Sequence, residues 1–267
     1  MRHFGGRIVL ALKLLLVPVF LLLLSVVARR WGPSLGGWLA GLPFVAGPTL
    51  FFIAMEQGAD FGARASAAAL LAVSAVVCFN LVYAHAAQHL RWPFALAVAV
   101  LAWAAGISCL SLLPAIPSFA LLSALATLLV APRLFPNIAV AKARHVMSNF
   151  EVVCRMLAGA LVTVTVTWAA GIVGEVWSGL FAVYPTLGTV LAVFSHRSHG
   201  GAYVAALFRA MMTGMYSFVA FCFALAVALP QLGIAWSFIV AVVLSLTVQL
   251  CSVRYLKRAV ASPLLAR

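Results

Sequence analysis

From Phe94 to Ala131 the chain runs for 38 residues without one charged side chain. As a single helix that run would be about 57 Å long, nearly twice the roughly 30 Å of a bilayer's hydrocarbon core. It must therefore bend, and Pro114 and Pro117 mark the place, because a proline removes a helix donor and clashes with the preceding turn. The rest of the sequence has the same character. Apolar residues make up 66% and charged residues 8%, against about 25% charged in a soluble domain. A water-soluble fold of 267 residues cannot hide that much apolar side chain. Soluble enzymes, disulfide scaffolds and disordered tails are excluded. The expected fold class is an all-α polytopic membrane protein.

Nine stretches are long and apolar enough to be read as spans: Ile8–Ala28, Trp38–Met55, Ala65–Ala86, Pro93–Leu113, Ile116–Ala131, Val152–Ile172, Trp177–Phe194, Gly201–Leu229 and Ile234–Val253. The fifth is short. If Pro114–Pro117 is not a hairpin and Ser118–Ala131 is re-entrant or interfacial, eight spans remain. The alternation in Val162–Trp168 is read as helix, since a lone strand leaves its backbone unsatisfied in lipid. Met1–Ala28 resembles a signal sequence, but its apolar core is too long and Arg29-Arg30 follows directly, so a retained first span is expected. The expected organisation is a transmembrane repeat over 1–131, a basic cytoplasmic linker over 132–151 and a second transmembrane repeat over 152–267.

Seventeen Lys and Arg stand against four Asp and Glu. Without a basic cluster interleaved with exposed aromatics, this excess does not point to nucleic acid; in a membrane protein it marks cytoplasmic loops. With nine spans, one side holds eleven basic residues, among them Arg29, Arg30, Arg91, Arg133 and Arg197, and the other holds Arg2, Arg7 and Arg64. The eight-span alternative splits eleven to three as well. Both put the C-terminus in the cytoplasm, with the chain in the cell's inner (plasma) membrane; they differ on the N-terminus. The partners expected are membrane lipids, a small anionic substrate and a second copy in a homodimer, for which Gly37-x-x-x-Gly41 permits close helix approach.

The two halves echo each other. Gly41-Leu42-Pro43-Phe44-Val45-Ala46-Gly47-Pro48-Thr49-Leu50 resembles Gly179-Leu180-Phe181-Ala182-Val183-Tyr184-Pro185-Thr186-Leu187. Each is followed by an apolar run, a polar knot (Glu56–Ala63 and His196–Ala202) and a long Ala-rich span. Five intervening spans make the second copy inverted, and four make it parallel; both arrangements occur in secondary transporters.

Paired Pro/Gly-interrupted spans point to a transporter site; the plain alternative is a kink that serves packing. Three cations fall inside spans. Lys13 and Arg155 lie near span ends, where they can snorkel. Arg209 is the ninth residue of its span, and a cation so deep needs a partner or a wet cavity. All four acids fall at span ends, so Arg209 suits an anion, or else bonds helix carbonyls. The candidate substrate-binding residues are Pro48, Thr49, Asn80, Pro185, Thr186, Thr189, Arg209 and Thr213, with Tyr216 as a further polar residue at that depth. The scarcity of carboxylates argues against Mg²⁺-dependent transfer chemistry. His85 and His89 share a helical face, but no Cys or carboxylate stands beside them, so end-capping is expected rather than metal binding. The five dispersed cysteines read as thiols packed like small apolar side chains. No cofactor, metal or catalytic residue is expected. The aromatics Trp31, Trp38, Trp92, Trp177, Tyr83, Tyr203 and Tyr255 read mostly as an interfacial belt. The expected function is transport or export of a small organic anion or an anionic lipid headgroup. A non-catalytic assembly or partner subunit is the alternative, and a membrane-embedded enzyme the third reading.

Overall fold

In the computed structural model, residues 2–136, 148–172 and 184–261 are described, and among them every regular element is a helix. The helices are α1 (Arg2–Trp31), α2 (Pro33–Ala40), α3 (Ala46–Gln57), α4 (Ala59–Ala86), α5 (Trp92–Leu110), α6 (Pro117–Leu134), α7 (Asn149–Ile172), α8 (Thr186–His199) and α9 (Gly201–Ala261). Among the described residues, five stretches are long and apolar enough to cross a membrane by length and composition: Leu14–Trp31, α4, α5, α6 and Gly201–Ser252 of α9.

The buried centre is α4 packed antiparallel on α9. Asn80 reaches Met211, Gly62 meets Leu229, and Gly201 lies on the Ala87 carbonyl at the far end. Small residues let the backbones approach this closely. Helix α5 returns antiparallel to α4, with Gly106 against Ala75. Helix α6 then runs parallel to α4: Ser74 shares hydrogen bonds with Ser123 and Thr127 at 3.1 and 3.0 Å. The His85 Nε2–H donates to the Leu134 carbonyl at 2.7 Å near the end of both helices. The bend at residues 111–116 is thus a hairpin, each arm of which packs on α4.

Helix α9 is broken at Gly233, where φ is +72°. Pro230 withholds a donor from the carbonyl one turn back, and glycine takes the left-handed backbone at no steric cost. The two limbs fold back on each other. Phe221 and Phe238 lie 6.1 Å apart across the break, and the Trp38 carbonyl touches Gly214 of one limb and accepts from Gln249 Nε2 of the other at 3.1 Å. Helix α2 is wedged there. A Cβ at Gly37 would collide with the Leu207 carbonyl, and one at Gly41 with the Gly214 backbone. The GxxxG spacing is used inside the chain. Trp38 is accordingly not an interfacial anchor: its Nε1–H donates to Ser252 Oγ at 2.8 Å. Tyr83 and Tyr203 also turn inward and are buried, whereas Trp31 and Trp92 are exposed as a belt requires.

The stretch read as one span over Trp38–Met55 is two helices, α2 and α3, separated by Gly41–Val45. The alternating stretch Val162–Trp168 is helical, with Thr163 and Thr165 donating to carbonyls one turn back. Of the linker over 132–151, residues 137–147 lie outside the described residues, as do Trp177 and the rest of 173–183, and the side chains of Lys13 and Tyr255.

Candidate functional site

Two helices begin within the bundle rather than at its ends. Helix α3 starts after Pro43, and α8 after Pro185, which stays out of the helix at φ −76°, ψ 65°. Neither N-terminus has a side-chain cap. The first-turn amides of a helix have no intrahelical acceptor and carry the positive end of its dipole. In α8, Thr186 N–H donates to the Tyr184 carbonyl and Thr189 N–H to the Pro185 carbonyl, both at 2.8 Å. Among the described residues, the Leu187 and Gly188 N–H groups find no backbone acceptor.

Asn80 of α4 faces this terminus. It is fully buried. Its Nδ2 makes one long contact, 3.9 Å to Met211 Sδ, and its Oδ1 has no hydrogen-bond partner. A Cβ at Gly188 would sit 3.8 Å from that oxygen and 3.9 Å from Phe208 Cε1, so glycine keeps the approach from Asn80 to the α8 terminus open. Because a thioether is a weak acceptor, turning the amide over costs little and would aim Nδ2 at the same gap. Thr189 donates to the Tyr184 hydroxyl at 3.0 Å, and Tyr184 stands edge-on to Trp103 with centroids 5.2 Å apart. These aromatics form one wall.

The structure divides the expected site. Asn80, Pro185, Thr186 and Thr189 cluster at the α8 terminus. Pro48 and Thr49 belong to the α3 terminus, where Gly47 packs on Phe221. Phe221 is ten residues past Met211 on α9, about 15 Å along the helix. Thr49 is occupied, donating to the Val45 carbonyl at 2.8 Å. Arg209 points to α6: its Nη2 donates to the Phe135 carbonyl at 2.9 Å. Two positions on, Met211 faces α4, since two residues turn a helix by about 200°. Thr213, four residues after Arg209, shares its face and is half-buried.

Arg155 does not snorkel. It is fully buried, with Nη2 2.7 Å from Glu151 Oε1 and its guanidinium 5.6 Å from the centroid of Phe194. Ser198 also donates to Glu151, at 3.0 Å. This knot fastens α7 to the end of α8. The i,i+4 spacing of Glu151 and Arg155 was its sequence signal. Nearby, the Tyr83 hydroxyl lies 3.4 Å from His196 Nδ1, and burial holds the His196 imidazole below its ordinary pKa. Phe208 and Met211, which pattern reasoning missed, carry no motif, and only packing brings them to Asn80 and the α8 terminus; Tyr184 lies in the repeated stretch but was not singled out there.

No family model matches the chain, and neither a curated protein nor a solved structure matches it.

Proposed function

We propose that the protein is a membrane transporter that carries a small organic anion, or an anionic lipid headgroup, past the N-terminus of α8. The observation that carries this reading is the uncapped N-terminus of α8 facing the buried, under-satisfied amide of Asn80, in a chain whose other half holds a second, opposed half-helix. Helix α3 begins inside the bundle and runs toward the Gly233 end; α8 begins inside it and runs toward the Gly201 end. Each stops at a glycine of positive φ, Gly58 at +92° and Gly200 at +82°, and each leads directly into a long central helix, α4 or α9. Half-helix N-termini aimed at a buried site are how broken-helix transporters hold anionic groups. In this reading the Leu187 and Gly188 amides and Asn80 bind the anion, while Pro185, Thr186 and Thr189 shape the terminus. Arg209 acts through α6.

The same pairing supports nine spans in two inverted repeats, over 1–131 and 152–267, joined by a basic linker. Arg29, Arg30, Arg91, Arg133 and Arg197 fall at the Gly201 end. This supports a cytoplasmic Gly201 end and C-terminus in the inner (plasma) membrane.

Comparative metabolite profiling of cells and medium tests the reading, using cells that express the wild-type chain, the Asn80→Leu chain or neither. An anion whose distribution across the membrane follows the wild-type chain and not Asn80→Leu is the expected result. Identical profiles in all three, at equal amounts of folded protein, would overturn it.

A further inference from the structure

The structure points to a second site, for an uncharged, ring-bearing lipophile with one carbonyl or hydroxyl group, at the break between α2 and α3. A pocket of about 470 Å³ lies there, within the roughly 300–1,000 Å³ typical of small-molecule sites. Phenylalanines from three parts of the chain line it: Phe20 of α1, Phe44 and Phe51 about the break, and Phe221 and Phe238 from the two limbs of α9. Their geometry suits a planar guest. Phe20 and Phe44 are stacked at 4.2 Å, and Phe51 meets Phe238 edge-on at 5.1 Å, so both ring faces and ring edges are on offer.

One lining side chain is out of keeping with this wall. Ser245 is 2% exposed, and its Oγ has no hydrogen-bond partner. Its neighbours in the same limb, Ser237, Thr247 and Ser252, all donate to backbone carbonyls three or four residues back. Ser245 does not, and a buried hydroxyl without a partner costs free energy. Pro48 has no N–H for the Phe44 carbonyl one turn back, and the α3 N-terminus has no side-chain cap. No charged side chain lines the pocket among the described residues, which excludes an ion or a headgroup. The guest that satisfies this lining is apolar with a single group for Ser245. The site is separate from the α8 terminus and does not depend on transport by it.

Benzophenone fits the description, with two rings and one carbonyl, and it crosslinks on illumination. The purified full chain in nanodiscs would be irradiated with increasing benzophenone and the labelled peptides mapped. Saturable labelling within residues 42–52 and 238–246 is expected. It should fall at least fivefold in Ser245→Ala and in Gly47→Leu, whose side chain would enter the pocket beside Phe221. Thr247→Ala, on the exposed face of the same limb, should label like wild type. If Gly47→Leu fails size exclusion as a folded protein, Ser245→Ala alone decides. Labelling that does not saturate, or that Ser245→Ala leaves unchanged, would overturn the proposal. So would saturable labelling of these peptides by a diazirine palmitate that benzophenone does not displace, because the pocket would then be an acyl-chain groove.

Discussion

Arg209 Nη2 donates to the carbonyl of Phe135, 74 positions earlier in the chain, at 2.9 Å. The acceptor lies just beyond the last turn of α6, whose preceding carbonyl, that of Leu134, is taken by His85. Two side chains from two helices thus cap one helix C-terminus, where open carbonyls and the negative end of the dipole gather. Arg209→Ala should therefore lower thermal stability, by about 1–3 kcal/mol for the loss of a charged hydrogen bond in a partly buried site. Arg209→Lys should recover part of that loss. Melting followed by fluorescence size exclusion checks this; a wild-type melting point in Arg209→Ala would rule out the capping role.

Asn80→Leu should separate folding from function. The substitution removes an amide whose oxygen has no partner, so stability should be unchanged or higher by up to about 1–3 kcal/mol. Transport should be lost. A variant that melts at or above wild type yet still moves the anion would remove Asn80 from the binding site.

Gly37→Leu should be strongly destabilising, because its Cβ would collide with the backbone of Leu207. The cost expected is about 3 kcal/mol or more, at or above the usual range for overpacking, and it should appear as loss of the monodisperse peak on size exclusion. Ala97→Leu, at an exposed position of α5, is the control for added bulk.

His196 should make stability depend on pH. Burial lowers its pKa in the folded state relative to about 6.5 unfolded. Between the two values the unfolded chain binds more protons, so stability rises with pH there. The contribution is complete above about pH 7.5 and is lost as pH falls below about 6.5 toward the folded value. Melting points between pH 8 and 5 should fall less steeply in His196→Gln than in wild type; equal slopes would exclude this residue as the cause.

Orientation is open to a direct test at the two ends. Gly58 is a poor labelling position because its φ of +92° strains any side chain placed there. The exposed neighbours Gln57 and Arg197 are better. In a cysteine-free background, Gln57→Cys should react with an impermeant maleimide in intact cells and Arg197→Cys only after lysis. The reverse pattern, or reaction of both in intact cells, would contradict a cytoplasmic Gly201 end.

Helix positions were legible where the signal is local. Pro114 and Pro117 sit in an uncharged run too long for one crossing, and the hairpin falls at residues 111–116. Gly233, three residues after Pro230, breaks α9 between the stretches read as the last two spans. The polar stretch of the site was partly legible too, since Asn80 and Thr189 are conspicuous in apolar surroundings. Arg155 was read wrongly. Its distance from a span end allows snorkelling, but Glu151 one turn before it supplies a counter-charge and Phe194 covers it, so the pair stays buried.

The sequence by itself determined that the chain is helical and apolar enough for a membrane. Hydropathy, proline and glycine act over one or two turns and need no knowledge of partners. Only the tertiary structure decided what each marked residue faces. Arg209 and Met211 are two positions apart on one helix, yet one caps α6 and the other touches Asn80, because about 200° of rotation sends them to different neighbours. Pro48 and Pro185 are equivalent in pattern, yet one lines a phenylalanine pocket and the other opens a polar helix terminus. What surrounds a break depends on which distant segments pack over it, and that information is spread over the whole chain.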